Sequence, residues 1–132
     1  MEELINSIKR HEGFRGYCYE DSLGIPTIAY GIKLPLTKEE GELLLKNRLN
    51  KMIQELETKR PSIKNFPEPI REVLYEMAYQ MGIEGLLKFK KMLKALEEQD
   101  YKKASLEGLD SRWAKQTPNR AKKLMEKIRN FA

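Results

Sequence analysis

A chain of 132 residues, 40% hydrophobic and 34% charged, is long enough to bury a core without disulfides and excludes a disordered, collagen-like or membrane-spanning polypeptide. Cys18 is the only cysteine and His11 the only histidine, which excludes an intramolecular disulfide, a thiolate-rich zinc site and a histidine cluster. The net charge of +5 favours polyanionic partners (nucleic acid, anionic membrane surfaces or acidic cell-wall polymers) without choosing among them.

The N-terminal run MEELINSIKRHEG carries two acids directly after Met1 and never builds a continuous apolar stretch, so it does not read as a secretory signal. Leu4, Ile5 and Ile8 instead have helical spacing, predicting a short amphipathic helix over 2–11 that stops at Gly13 and leaves Glu12 at its C-terminal end. From Gly16 to Lys33 the character changes to β-branched and aromatic residues, interrupted by Ser22, Leu23 and Gly24, which predicts one β-hairpin turning near Gly24. Thr37 and Glu40 have the spacing of a capping box, ahead of a helical stripe of Leu45, Leu49, Met52, Ile53 and Leu56. Three prolines between Arg60 and Pro69 must break that helix, and the segment is expected to link two lobes. Beyond it the pattern is helical: Pro69 to Met81, Gly85 to Gln99, Tyr101 to Leu106 ending at Gly108, a turn at Ser111 to Lys115, and Pro118 to Phe131, with Thr117 as an N-cap. The basic residues share these helices with acids and read as solvated faces.

Glu12 at a helix end, Asp21 at the hairpin turn and Thr27 on the return strand can converge on one site. Glycosidic hydrolysis needs one carboxylic acid to protonate the leaving oxygen and one carboxylate to activate water or stabilise an oxocarbenium-like transition state. Residue spacing alone also fits an ordinary solvated Glu12 and an Asp21 that serves only as a turn former.

Glu12-Gly13, Arg15, Tyr19, Asp21, Gly24, Thr27-Ile28 and Gly31 together resemble the active-site segment of the T-even bacteriophage lysozymes, a group of glycoside hydrolase family 24-like endolysins. Met77-Ala-Tyr-Gln-Met-Gly82 and Ser111-Arg-Trp-Ala-Lys-Gln-Thr-Pro-Asn-Arg-Ala121 match two further blocks of that family in the expected order. The resemblance implies an α+β, lysozyme-like fold. A small N-terminal β-hairpin lobe (about 12–36) and a larger helical C-terminal lobe (about 68–132, with 1–11 packed on it) are joined by a long helix (about 37–59) into a single domain. It also implies an inverting muramidase that cleaves between N-acetylmuramic acid and N-acetylglucosamine, with Glu12 as general acid and Asp21 and Thr27 holding the water. Tyr79 and Gln80 then lie on the far wall of the cleft, and Gln116 and Arg120 lie behind Glu12. Trp113 reads better as a core anchor than as a stacking residue.

Ala29 stands where these lysozymes commonly have glycine, and Ile32 stands where the T-even enzyme has histidine. The chain passes from Gly31 almost directly into the Thr37 capping box, so the family's additional strand and short helix are expected to be missing and one flank of the groove more open. The expected partner is bacterial peptidoglycan, with no cofactor or metal, no nucleic acid and no membrane insertion, for a monomer held in the host cytoplasm before lysis. The alternatives are a lysozyme-fold wall-binding protein without activity, left so by the truncated lobe, and a basic helical nucleic-acid binder, for which no motif is present.

Overall fold

The computed structural model describes residues 1–131, which divide into two compact units, the first over Met1–Leu45 and the second from Lys46 onward. The first unit begins with α1 (Glu2–Glu12), whose first turn carries Glu2 and Glu3 and whose last turn carries Lys9, Arg10 and His11. That charge order complements the helix dipole. Gly13 ends the helix at φ 71°, its N–H donating to the Lys9 carbonyl at 2.9 Å.

Three antiparallel strands follow in the order β1 (Arg15–Glu20), β2 (Pro26–Ala29) and β3 (Ile32–Lys33). Tyr19 lies opposite Thr27, Thr27 opposite Lys33 and Ile28 opposite Ile32, with a register shift between Arg15 and Tyr19. The expected single hairpin is thus one strand too small. The third strand is only two residues long, too short to show as an alternating run, and it exists because the chain reverses over Ala29–Gly31 with positive φ at both ends, 60° and 70°. Phe14 packs against Tyr30 with ring centroids 5.2 Å apart, and the Lys9 ammonium lies 5.6 Å from the Tyr30 ring, tying the end of α1 to this turn.

α2 (Lys38–Lys59) starts on the predicted capping box, the Thr37 N–H donating to Glu40 Oε1 at 2.8 Å and the Glu40 N–H to Thr37 Oγ1 at 3.1 Å. Of its apolar stripe only Leu56 is fully buried, in the core of the second unit. The proline-rich segment is not a linker. It winds into a 3-10 helix (Pro61–Asn65) whose Ile63, with Phe66 just after it, joins that core, and the division of the chain falls earlier, within α2.

Six helices complete the second unit: α3 (Glu68–Met81), α4 (Ile83–Leu87), α5 (Lys90–Glu97), α6 (Tyr101–Leu109), α7 (Arg112–Gln116) and α8 (Pro118–Arg129). Ile70, Leu74, Met77, Leu86, Leu93, Met125 and Ile128 fill its centre without exposure. The helix expected over 85–99 is broken at Lys88–Phe89, where Phe89 leaves helical geometry at ψ 59° and sets its ring edge-on to Trp113. Gly108 does not end α6. It lies inside the helix, where a Cβ would collide with the Met125 sulfur and come within 3.2 Å of the Met92 sulfur. Thr117 precedes α8 but caps nothing, because its hydroxyl donates back to the Trp113 carbonyl at 3.0 Å.

Gly108, crowded inside α6, and Ala29, at a φ of 60°, yield opposite predictions. Gly108→Ala overpacks the methionine sulfurs and is expected to destabilise by about 1–3 kcal/mol. Ala29→Gly relieves a side chain held in the left-handed region and is expected to stabilise by about 0.5–1 kcal/mol. Denaturant unfolding of both variants checks the signs.

Candidate active site

The β1–β2 turn is built around Asp21. Its backbone N–H donates to the Ile25 carbonyl at 3.0 Å, its carbonyl accepts from the Gly24 N–H at 2.9 Å, and Gly24 supplies the positive φ of 79°. The side chain reinforces the same turn: Oδ1 accepts from the N–H groups of Leu23 at 2.8 Å and Ile25 at 2.9 Å. Oδ2 accepts from the Lys33 ammonium at 2.6 Å. With three donors converging on it, Asp21 is lowered from an ordinary 3.8 to about 2, the Lys33 hydrogen bond contributing most and the Ile25 N–H next. Lys33 is pushed up in return, chiefly by its hydrogen bond to Asp21, with the charges of Asp21, Glu12 and Tyr19 adding to it.

Glu12 is the last residue of α1, and its carboxyl lies directly over Gly31. A Cβ on Gly31 would fall 2.6 Å from Glu12 Cδ, so the absence of a side chain there lets the carboxyl approach the β2–β3 turn. Thr27 is buried, and its hydroxyl donates to the Ile25 carbonyl at 2.8 Å. Ile25 therefore serves both residues, its N–H held by Asp21 and its carbonyl by Thr27. With its proton committed, the Thr27 oxygen retains only acceptor capacity. The first unit thus gathers Glu12, Asp21 and Thr27 around its small sheet, with Lys33 between the influences of the two carboxyls.

In the second unit, Gln80 on α3 accepts from the Trp113 indole N–H at 2.9 Å. Trp113 is nearly buried, as expected of a core anchor, and holds the Gln80 amide in one orientation. Gln80 and Gln116 both line an open cavity of about 730 Å3, whose lining also includes Phe89, Trp113, Lys88 and Arg112. Tyr79 and Arg120 do not line it. Tyr79 is about half exposed, and the Arg120 Nε–H donates to Glu76 at 2.9 Å.

Lys33 and Glu76 are the functional candidates that sequence reasoning missed. The signal for Lys33 lies in the strand register, since it faces Thr27 across β2–β3. For Glu76 it is weaker, because a carboxylate 44 residues from Arg120 has no local mark.

A family model described as phage lysozyme matches residues 9–130. Among curated proteins, the chain is 32% identical over 96 residues to "Probable T4-type lysozyme 1" of Dictyostelium discoideum, covering 70% of this chain and 56% of that one. It is 29% identical to "Pre-baseplate central spike protein Gp5" of Enterobacteria phage T4, covering 92% of this chain and 26% of that one. It is 24% identical to "Probable T4-type lysozyme 2" of Dictyostelium discoideum, covering 95% of this chain and 92% of that one. The chain therefore spans about half of the first relative and a quarter of the second.

The depressed Asp21 carboxyl makes a pH prediction with a definite sign. Its contribution to stability is complete above the unfolded value near 4 and is lost as the pH falls toward about 2. Asp21→Asn is expected to be less stable than the wild type at pH 6, and the gap should close between about pH 4 and 2. Parallel unfolding curves across that range measure it, and a constant gap would contradict the assignment.

Proposed function

Because the chain belongs to the phage lysozyme family, we propose that it is a muramidase hydrolysing the β-1,4 bond between N-acetylmuramic acid and N-acetylglucosamine in bacterial peptidoglycan. The observation that carries this reading is the unlike treatment of two carboxyls in one small unit. Asp21 is fixed as a carboxylate by three donors, whereas Glu12 receives no hydrogen bond within its own unit and lies against the bare Gly31 backbone. Two carboxyls in contrasting environments are what an acid and a charge-bearing partner require.

In this mechanism Glu12 protonates the leaving oxygen as the glycosidic bond breaks. Asp21, ionised throughout, stabilises the positive charge developing on the sugar ring and orients the attacking water through Oδ2. The Thr27 oxygen is restricted to accepting, so it accepts a hydrogen bond from the water O–H and leaves a water lone pair free for attack. Attack from the face opposite the leaving group inverts the anomeric centre, and the proton released by the water passes to solvent, from which Glu12 is protonated again.

Tyr79, Gln80, Gln116 and Arg120 bind the saccharide in this reading. The glutamine amides suit hydroxyl and acetamido groups, and Phe89 and Trp113 in the same lining offer apolar surface to a sugar face. The proposal requires the two units to work as one lysozyme-like domain, a monomer whose net charge of +5 favours an anionic wall. Neither a nucleic acid nor membrane insertion enters it, and among the described residues no helix is long and apolar enough to cross a membrane.

Glu12→Gln keeps the shape of the side chain and removes the transferable proton. Release of reducing ends from purified peptidoglycan is expected to fall by about 100-fold or more, with folding retained. Proton NMR of the first product should show the inverted, α-configured anomer. Equal rates for wild type and variant would overturn the catalytic reading in favour of a wall-binding protein without activity.

A further inference from the structure

Asp21 Oδ1 is saturated by two backbone N–H groups, so the working oxygen toward solvent or substrate is Oδ2, and that oxygen already carries the Lys33 ammonium at 2.6 Å. The geometry points to Lys33 as a positioning residue of the hydrolytic site, which fixes the Asp21 carboxylate in charge and direction. This inference rests on the muramidase reading above.

Three features separate this contact from an ordinary surface ion pair. Lys33 sits on β3 in register with Thr27, so its strand position is set by the same sheet that carries the other site residues. Its partner is mostly covered, with 17% of the Asp21 side chain exposed against 51% of Lys33, and has no other side-chain donor among the described residues. Glu12 and Tyr19 also help to hold the ammonium in its charged form; Tyr19 is itself stacked under Arg15, whose guanidinium carbon lies 4.3 Å from the ring centroid.

An ammonium has three protons in a rotatable head. One goes to Asp21 Oδ2, and with half of the lysine side chain exposed the others are left to solvent. A carboxylate held this way is a poor proton acceptor, so Asp21 acts by its negative charge and by aiming the water, not by strong basicity.

The test compares wild type, Lys33→Met and Lys33→Arg by kcat and KM for reducing-end release across pH 2.5–9, alongside carbon-13 NMR titration of the Asp21 carboxyl. In Lys33→Met the Asp21 midpoint and the acid limb of kcat are both expected to move up by about 1–2 pH units, while KM holds. Lys33→Arg is expected to restore most of the shift, since a guanidinium can also donate to Oδ2. An unmoved Asp21 midpoint in Lys33→Met, or a change confined to KM, overturns the positioning role. A wild type that releases no reducing ends fails the muramidase reading itself, an outcome separate from a wild type that is active but indifferent to Lys33.

Discussion

The Asp21 carboxylate is the interaction on which the first unit depends, because one side chain closes the β1–β2 turn and supplies the charge required by the proposed chemistry. Oδ1 satisfies the N–H groups of Leu23 and Ile25, which a turn would otherwise leave to solvent, and Oδ2 draws in Lys33 from β3. Ile25 passes the constraint on through its carbonyl, which accepts the Thr27 hydroxyl. A substitution at Asp21 therefore loosens the turn, the third strand and Thr27 together, and loss of activity there would not by itself identify a catalytic role. Lys33 is more informative because its removal leaves the Oδ1 hydrogen bonds and the turn in place.

A second constraint is spatial. Glu12 reaches the sheet only because the β2–β3 turn presents a glycine at position 31, and that turn is entered through Ala29 at a φ of 60°. The alanine is strained where a glycine would not be, so the turn is maintained against a local cost. Part of what holds it is visible in the Phe14–Tyr30 contact and the Lys9 ammonium over the Tyr30 ring, both of which join the turn to the end of α1 that carries Glu12. The acid and the turn that receives it are thereby positioned by the same few side chains.

Long-period features were legible from sequence because they have local causes. The end of α1 at Gly13, the Thr37–Glu40 capping box and the end of α3 before Gly82 follow from backbone and capping rules. Gly108 misled because a glycine that permits close approach to Met92 and Met125 has the same letter as one that ends a helix. Thr117 misled because its hydroxyl chose a carbonyl four residues back over the N-terminus ahead of it. The proline-rich segment read as a linker because prolines mark a break in the helix but do not report that Ile63 and Phe66 enter a core. In the site, Asp21 could be identified as a turn residue, but the third donor to its carboxylate came from twelve residues away through a strand too short to predict.

The pairing of Asp21 with Lys33 bears on how far the carboxylate's charge reaches in the proposed mechanism. At a distance an ion pair acts as a dipole whose field falls off faster than that of a charge. Asp21, held by the Lys33 ammonium at 2.6 Å, therefore acts mainly on what touches it directly. Oδ1 is taken by the Leu23 and Ile25 N–H groups, so direct contact is open only at Oδ2, beside the ammonium. The same lysine thus sets both the oxygen that can meet a reacting group and the short range over which its charge is felt.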